Sequence, residues 1–213
     1  MNIALFDFDG TITNNDNYTM FIRYSCGRKR LIALQLLLFP VIAGYRLKII
    51  SPAKTRELVA GCIFRGQKLD HVMEQGRKYS SEILPLHIRK RAQERITWHR
   101  EQGDRIVVVS ASLDFYLKHW CEDNGFDLIC SHFETSGGVI SGSYHRGDCS
   151  GKQKAIRVME KYDLSLFETV YAYGDTTEDR ELLDLAAVKF FRWKQVDRMP
   201  VSETECDTGN DPA

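Results

Sequence analysis

Two carboxylates separated by one residue follow the first apolar run of the chain. Residues Ile3 to Phe6 are predicted to form a buried strand, and Asp7 and Asp9 come directly after it. Asp, Gly and Thr weaken a strand, so we expect the chain to leave the sheet here. Two acids this close repel each other, and when buried they need a cation or a shared proton. The pair is therefore a candidate for chemistry, with capping of the following helix as the alternative.

Polar residues also follow two later apolar strands. Ser110 follows residues 105–109, and Asp175 and Asp179 follow residues 169–173. Because the strands of a parallel sheet end at the same edge, we expect these side chains to lie near the first acidic pair.

The types of these residues indicate phosphoryl transfer. Carboxylates without His or Cys favour a hard cation, and Mg²⁺ suits them best. The Ser110 hydroxyl, followed by the N–H groups of Ala111 and Ser112 at a helix start, is suited to a phosphate. Together these groups suggest an aspartyl-phosphate mechanism in which one Asp attacks phosphorus and its neighbour moves the proton. The fixed positive charge that such a site needs would come from Lys152 or Lys154.

Alternating strands and helices after Asp104 predict a doubly wound, parallel α/β sheet with a β-hairpin over residues 132–145. Residues 12 to about 90 are predicted to be helical throughout, as an inserted domain. A long amphipathic helix is expected from Pro85 to Gln102, with His99 on its surface. The expected division is a catalytic core of residues 1–12 and 92–198, a helical cap of residues 13–91 and a disordered tail of residues 199–213.

An uncharged run from Leu31 to Tyr45 lies between basic clusters. Its fifteen residues fall short of the roughly 20 that a membrane-spanning helix needs, and Pro40 would break or kink the helix. Two interpretations stay open. The run forms a buried helical hairpin within the cap, or residues 31–50 form an apolar surface with basic edges that rests on a lipid bilayer.

The composition is that of an ordinary globular protein. Lys plus Arg and Asp plus Glu each number 29 in 213 residues, so no net charge favours nucleic acid. The six cysteines are scattered and lack metal-ligand spacing, which is typical of a reducing compartment. The N-terminus has no secretory pattern. We expect a cytoplasmic protein, with a peripheral contact at the inner face of the membrane as an alternative, and the oligomeric state is left open.

The ordered motifs resemble those of the haloacid dehalogenase superfamily. The run Asp7-Phe-Asp9-Gly10-Thr11 resembles its first motif, DxDGT, and Val107-Val-Val-Ser110 resembles the second. A helix Lys is the third, and Gly174-Asp175-Thr-Thr-Glu-Asp179 resembles the fourth, GDxxxD. The resemblance extends over residues 1–195 and implies a Rossmann-like core.

The resemblance also implies a role for each of these residues. Asp7 would be the nucleophile, and Asp9 would be the general acid/base. Lys154 is preferred to Lys152, because residues 149–154 resemble a Cys-x-Gly-x-x-Lys pattern found in one branch of the superfamily. The implied Mg²⁺ ligands are Asp7, the Asp9 backbone carbonyl, Asp175 and Asp179. The implied substrate and phosphate contacts are Gly10, Thr11, Asp16, Ser110 and Ala111.

The helical insertion resembles the first cap type of the superfamily and the phosphoserine-phosphatase-like subfamily. The chain departs from phosphoserine phosphatases at Gly10, where they have Ser, and at Asp16, where they have a Glu that reads the substrate amine. The pattern from Asp9 to Tyr24, followed by a Leu-rich run, is more similar to the branch that includes phosphatidylglycerophosphatase C. Enzymes of that branch act on a lipid phosphate at the inner face of a bacterial membrane.

The predicted function is that of a Mg²⁺-dependent phosphatase working through an aspartyl-phosphate. Its substrate would be either a lipid phosphate or a small phosphorylated metabolite. The alternatives are a phosphoserine phosphatase and a phosphotransferase that uses the same site. A non-enzymatic alternative is a membrane-surface adaptor that has lost turnover.

Overall fold

A largely parallel sheet forms the centre of the molecule. The structure is a computed structural model that describes residues 1–198, without the side chains of residues 28–35. The strands are β1 (Ile3–Phe6), β2 (Arg105–Leu113), β3 (Asp127–Ser131), β4 (Phe133–Ser136), β5 (Val139–Tyr144), β6 (Val170–Gly174), β7 (Val188–Phe191) and β8 (Lys194–Val196). Within the described residues, the main sheet has the order β3-β2-β1-β6-β7-β8, and β4–β5 form a separate antiparallel hairpin. All neighbours in the main sheet are parallel except β7–β8.

Both faces of the central strands are covered. Ala4 and Phe6 of β1 pack into one apolar cluster, and Ile3 and Leu5 pack into another on the opposite face. Successive strand side chains point to opposite faces, so an unbroken apolar run is what a doubly covered strand requires. The predicted fold class, a doubly wound α/β sheet with a helical insertion and a small hairpin, is confirmed.

Most of the helices are formed by the segment of the chain between β1 and β2, and the others come after β2 in the sequence. They are α1 (Asn17–Ser25), α2 (Arg28–Arg46), α3 (Pro52–Phe64), α4 (Leu69–Glu82), α5 (Lys90–Glu101), α6 (Asp114–Asn124), α7 (Lys152–Lys161) and α8 (Arg180–Asp184). Shorter helical turns occupy Phe8–Ile12, Leu84–His87, Leu164–Leu166 and Thr177–Asp179. The insertion between β1 and β2 is helical, as expected. Its bounds at residues 13 and 91 stay a prediction, and the tail predicted at 199–213 lies outside the described residues.

Residues 31–45 do not form the predicted hairpin. The chain forms one helix, α2, which continues through Pro40. Leu36, Leu37 and Phe39 are each at least 66% exposed, whereas Leu38 between them is only 5% exposed, so the described part of this helix has both an exposed and a buried apolar side. Apolar composition alone could not separate the two interpretations, because a buried helix and a helix with an apolar outer surface need the same residue types.

The helix expected from Pro85 to Gln102 begins later than predicted. A short turn at Leu84–His87 precedes α5, and Arg89 between them is extended. The N–H of Arg89 donates to the Ile12 carbonyl (2.9 Å), and its Nε donates to the Thr13 carbonyl (2.9 Å). These bonds attach the start of α5 to the loop that carries the first motif.

His99 was predicted to lie at the surface and is instead completely buried. One ring nitrogen, Nδ1, lies 2.7 Å from Asp104 Oδ2, and the other, Nε2, lies 2.8 Å from the Tyr173 hydroxyl. The Tyr173 ring stacks on Phe6, with 4.2 Å between ring centroids. This polar network therefore supports the two strands that end at the acidic residues.

The cap contacts the core through the β4–β5 hairpin. The Gly66 N–H donates to the Ile140 carbonyl (2.9 Å), and the Ile140 N–H donates to the Gln67 carbonyl (3.0 Å). Gly61 of α3 lies so close that an added Cβ would be 2.4 Å from the Gly142 carbonyl oxygen. Backbone hydrogen bonds and a glycine contact thus hold the α3–α4 part of the cap on the core.

Candidate active site

The first motif leaves the sheet in a tight turn that requires Gly10. The Asp7 N–H donates to the Tyr173 carbonyl (2.9 Å), and the chain then turns through Phe8–Ile12. Gly10 has φ +85°, and an added Cβ would lie 2.2 Å from Asp175 Oδ2. Both the backbone conformation and the close approach of Asp175 therefore disfavour a larger residue in this chain. The Thr11 hydroxyl donates to Asp175 Oδ1 (3.2 Å).

Lys154 of α7 reaches Asp7 and Asp179, whereas Lys152 is exposed. The Nζ of Lys154 donates to Asp7 Oδ1 (2.5 Å) and to Asp179 Oδ1 (2.6 Å), and the side chain of Lys154 is 3% exposed. Burial alone would lower the pKa of Lys154, but the charges of Asp179 and Asp7 outweigh it and raise the pKa. The ammonium is therefore a fixed positive charge beside the predicted nucleophile.

Asp7, Asp175 and Asp179 form a cluster of carboxylates. Each offers one oxygen, and these oxygens lie within 4.8 Å of one another. Burial, followed by the charge of Asp179, raises the pKa of both Asp7 and Asp175. Three carboxylates beside one ammonium leave an excess of negative charge, and their hard oxygens suit Mg²⁺. The residues present therefore fit a bound Mg²⁺.

Asp179 also organises the loop of the fourth motif. Its Oδ2 accepts the N–H groups of Asp175 and Thr176 at 3.1 Å each. Burial acts to raise its pKa, but Lys154 and these N–H donors hold the pKa below its usual value. Asp179 is thus an ionised anchor that holds both Lys154 and the Asp175 loop.

The Asp9 side chain points away from the carboxylate cluster, toward the cap. It accepts the Asn17 N–H (2.8 Å) and the hydroxyl of Ser112. Burial raises the pKa of Asp9 to about 6, against the lowering effect of the Ser112 and Asn17 hydrogen bonds. A carboxyl group with such a pKa can both give and take a proton near neutral pH. The proposed metal contact through the Asp9 backbone carbonyl stays a prediction.

The remaining predicted residues surround the same space. Ser110 is buried at the end of the regular part of β2, and its Oγ accepts the Ser112 N–H (3.0 Å). Asp16 caps α1, where it accepts the N–H (2.9 Å) and the hydroxyl (2.6 Å) of Thr19. Ser110, Ala111 and Asp16 line one cavity of about 410 Å³ together with Asp7, Asp9 and Lys154.

The sequence did not reveal two features of this cavity, the contact of the Ser112 hydroxyl with Asp9 and the presence of Arg56. The Ser112 hydroxyl could have been found, because residues two apart on a strand share a face and Ser110 was already assigned. Arg56 of α3 had no comparable signal. Its guanidinium bonds to Asp148 and Glu178, which are 92 and 122 residues away along the chain.

The fold and the site together define the class of the protein. An open parallel sheet carries acidic residues at the carboxyl ends of β1 and β6, with a buried lysine between them and a helical cap above. This arrangement belongs to hydrolases of the phosphatase type. A family model for haloacid dehalogenase-like hydrolases matches residues 4–184, and the chain belongs to that family.

Known proteins are similar to this chain in sequence or in fold. The chain is 27% identical over 196 residues to protein CicA of Caulobacter vibrioides, covering 89% of this chain and 85% of that protein. A protein of unknown function from Bordetella pertussis Tohama I has a similar structure, with TM-score 0.75, 19% identity and 89% of each chain covered. A substrate-bound phosphoserine phosphatase has TM-score 0.62 and 15% identity over 89% of this chain and 84% of its own. The predicted membership in the haloacid dehalogenase superfamily, with a phosphoserine-phosphatase-like fold, is confirmed.

Proposed function

We propose that the protein is a Mg²⁺-dependent phosphomonoesterase that works through an aspartyl-phosphate on Asp7. The main observation in support of the proposal is that Asp7 and Asp9 have different surroundings. Asp7 is bonded to Lys154 and lies in the carboxylate cluster, while Asp9 faces the cap with a pKa of about 6. Mg²⁺ held by Asp7, Asp175 and Asp179 would supply positive charge beside the phosphate oxygens.

The side chains of Asp7 and Asp9 carry out the formation and the hydrolysis of the aspartyl-phosphate. A carboxylate oxygen of Asp7 attacks phosphorus, the bond from phosphorus to the ester oxygen breaks, and Asp9 gives its proton to that oxygen. Ionised Asp9 then takes a proton from a water molecule. The water oxygen attacks phosphorus, and the bond to Asp7 breaks to release inorganic phosphate. The Ser110 hydroxyl and the Lys154 ammonium lie where they can hold the phosphoryl oxygens.

Asp7→Asn tests this mechanism. It removes the attacking charge while keeping the side-chain shape, so we expect Mg²⁺-dependent hydrolysis of p-nitrophenyl phosphate to fall to background. Asp123→Asn, an exposed change on α6, is the matched control and should keep full turnover. Substantial turnover by Asp7→Asn would contradict Asp7 as nucleophile.

The acceptor decides between a hydrolase and a phosphotransferase. Both reactions use the same residues up to the aspartyl-phosphate, and they differ only in whether water or another alcohol attacks it. We expect inorganic phosphate as the product. Recovery of a new phosphate ester in the presence of added alcohols would favour the transferase.

A peripheral contact with a lipid bilayer is supported by the surface around the end of α2. Leu36, Leu37, Phe39, Leu47 and Ile49 are each at least 66% exposed, which is unusual for so many large apolar side chains in one stretch. The exposed Arg46 and Lys48 lie in the same stretch and suit anionic headgroups. No helix in the described part of the chain is long and apolar enough to cross a membrane. Tyr45, next to this surface, lines the cavity, so a lipid phosphate could enter from the bilayer side.

Leu36→Asn with Leu37→Asn tests the contact. We expect this double variant to lose binding to vesicles that contain anionic lipid while keeping turnover of p-nitrophenyl phosphate. Leu86→Asn with Leu166→Asn replaces two leucines of similar exposure elsewhere and should still bind. Unfolding of the first variant, or equal binding by both, would refute the contact and favour a small phosphorylated metabolite. Vesicle binding without any Mg²⁺-dependent hydrolysis would favour the adaptor.

A further inference from the structure

We propose that the cavity selects phosphate esters whose leaving group carries no second negative charge, and that Arg56 and Glu178 set this preference. The inference rests on the proposed function and narrows its substrate class. It follows from how the cations of the cavity are already paired.

Arg56 reaches from the cap to two carboxylates of the core. Its Nε lies 2.8 Å from Asp148 Oδ2, and its terminal nitrogen lies 3.2 Å from Asp148 Oδ1. The same terminal nitrogen lies 3.0 Å from Glu178 Oε2. The guanidinium is therefore bonded twice to one acid and shared with another, which is the strong form of such a pair.

The pairing of Arg56 with Asp148 is built into the fold. The Asp148 side chain is 4% exposed, so losing its partner would leave a buried charge uncompensated. The Arg56 carbonyl in turn accepts the Tyr18 hydroxyl (2.5 Å), which holds this turn of α3 in place. An incoming anion could displace only Glu178, whose side chain is 35% exposed.

Such a displacement gains little for an anionic substrate. It exchanges one carboxylate on Arg56 for another and leaves Glu178 without its partner beside the new charge. Asp16 adds a further carboxylate to the cavity lining, and its bonds in the structure are to Thr19, a neutral residue. On the leaving-group side, the carboxylates of Glu178 and Asp16 line the cavity together with Arg56. The single positive charge of Arg56 is already paired with the buried Asp148.

The other cation offers no alternative. Lys154 is bonded to Asp7 and Asp179 and lies at the phosphate end of the site. Among the described residues that line the cavity, each cation is therefore held by two carboxylates. The rest of the leaving-group side is lined by apolar and aromatic groups such as Ile22, Tyr45 and Val59. This half of the cavity suits a neutral or cationic alcohol.

Two matched pairs of esters test the preference. O-Phosphoserine has one carboxylate more than O-phosphoethanolamine, and 3-phosphoglycerate has a carboxylate where glycerol 3-phosphate has a neutral hydroxymethyl group. In Mg²⁺ we expect kcat/KM to be at least about tenfold higher for the first member of each pair, since one like-charge contact at a partly exposed site is of that size. Ratios near one, or a preference for the carboxylates, would overturn the inference.

The variant Glu178→Gln tests whether the charge of Glu178 causes this preference. It keeps the length of the side chain and its contact with Arg56 but removes one negative charge, so both ratios should shrink severalfold. Effects on the shared chemistry cancel within each ratio. Glu122→Gln, an exposed change on α6, should leave both ratios as in the wild type. Unchanged ratios in Glu178→Gln would overturn the role given to Glu178.

The same assays separate this inference from the proposed function. Hydrolysis of p-nitrophenyl phosphate without discrimination within the pairs would overturn the inference alone. No hydrolysis of any of these esters in Mg²⁺ would overturn the proposed function, and the inference with it.

Discussion

Replacing Lys154 with Met should destabilise the protein strongly. The substitution keeps an unbranched side chain but removes the ammonium that bonds to Asp7 and Asp179. Both carboxylates are nearly inaccessible, so they would be left buried without their partner. Removing one partner of a buried ion pair costs about 3–5 kcal/mol. In a protein of this size each kcal/mol shifts the melting temperature by about 2–4 °C, so we expect a loss on the order of 10 °C.

Metal and pH should both modify this loss in a defined direction. Mg²⁺ bound among the same carboxylates would replace part of the missing positive charge, so the loss should be larger in EDTA than in millimolar Mg²⁺. The pKa of Asp7 is already raised by burial and by Asp179, and the loss of Lys154 removes an opposing influence. A group with a raised pKa in the folded state stabilises at low pH and loses that contribution as pH rises. The variant should therefore be less impaired at pH 5.5 than at pH 8.

Thermal unfolding followed by circular dichroism measures these effects. Lys152→Met on the same helix is the control, because its side chain is exposed and should change the melting temperature little. If the two variants melt within about 2 °C of each other in EDTA at pH 8, the buried ion pairs contribute nothing net and the reasoning from Lys154 is refuted.

Two further predictions concern the turn and the support beneath the site. Gly10→Ala and Gly103→Ala should each lose about 1–2 kcal/mol of unfolding free energy, because both glycines have positive φ. Only Gly10→Ala should lose turnover and Mg²⁺-dependent thermal stabilisation, because an added Cβ meets Asp175 at Gly10 but open space at Gly103. Equal turnover in the two variants would contradict this prediction. Burial lowers the pKa of His99, so the folded state binds fewer protons than the unfolded state. The free energy of unfolding should therefore fall as the pH drops below about 6.5, by at most about 1.4 kcal/mol per pH unit. Urea unfolding between pH 5 and 8 should show a flatter dependence for His99→Gln than for wild type, whereas exposed His71→Gln should keep the wild-type slope; identical slopes in all three would count against His99.

The catalytic edge of the sheet could be predicted because its physics is local. Asp7 and Asp175 each follow a short apolar strand, and parallel strands bring their ends to one edge whatever the rest of the chain does. Ser110 ends the apolar run of β2, but the helix start predicted at Ala111 and Ser112 is wrong, because β2 continues to Leu113 and α6 begins at Asp114. The family resemblance then assigned Lys154 rather than Lys152, and the structure places Lys154 against Asp7.

The cap and helix α5 were harder to predict because their contacts join distant parts of the chain. Nothing near Arg56 indicates that it meets Asp148 and Glu178. His99 lies in a strongly charged helix, and its burial follows from Asp104 and Tyr173, which satisfy both ring nitrogens. The exposure of Leu36 and Leu37 could not be predicted from composition, because the hydrophobicity of a residue does not show whether its side chain faces the core or the solvent.

The attachment of the cap to the β4–β5 hairpin constrains chimeras within this family. The N–H and carbonyl of Ile140 are both bonded to the cap loop, and Gly61 leaves room only for the backbone at Gly142. A foreign cap grafted onto this core would leave those backbone groups unpaired or would clash there. A working chimera must therefore exchange residues 132–145 together with the cap, although 40 residues of the chain separate the two segments.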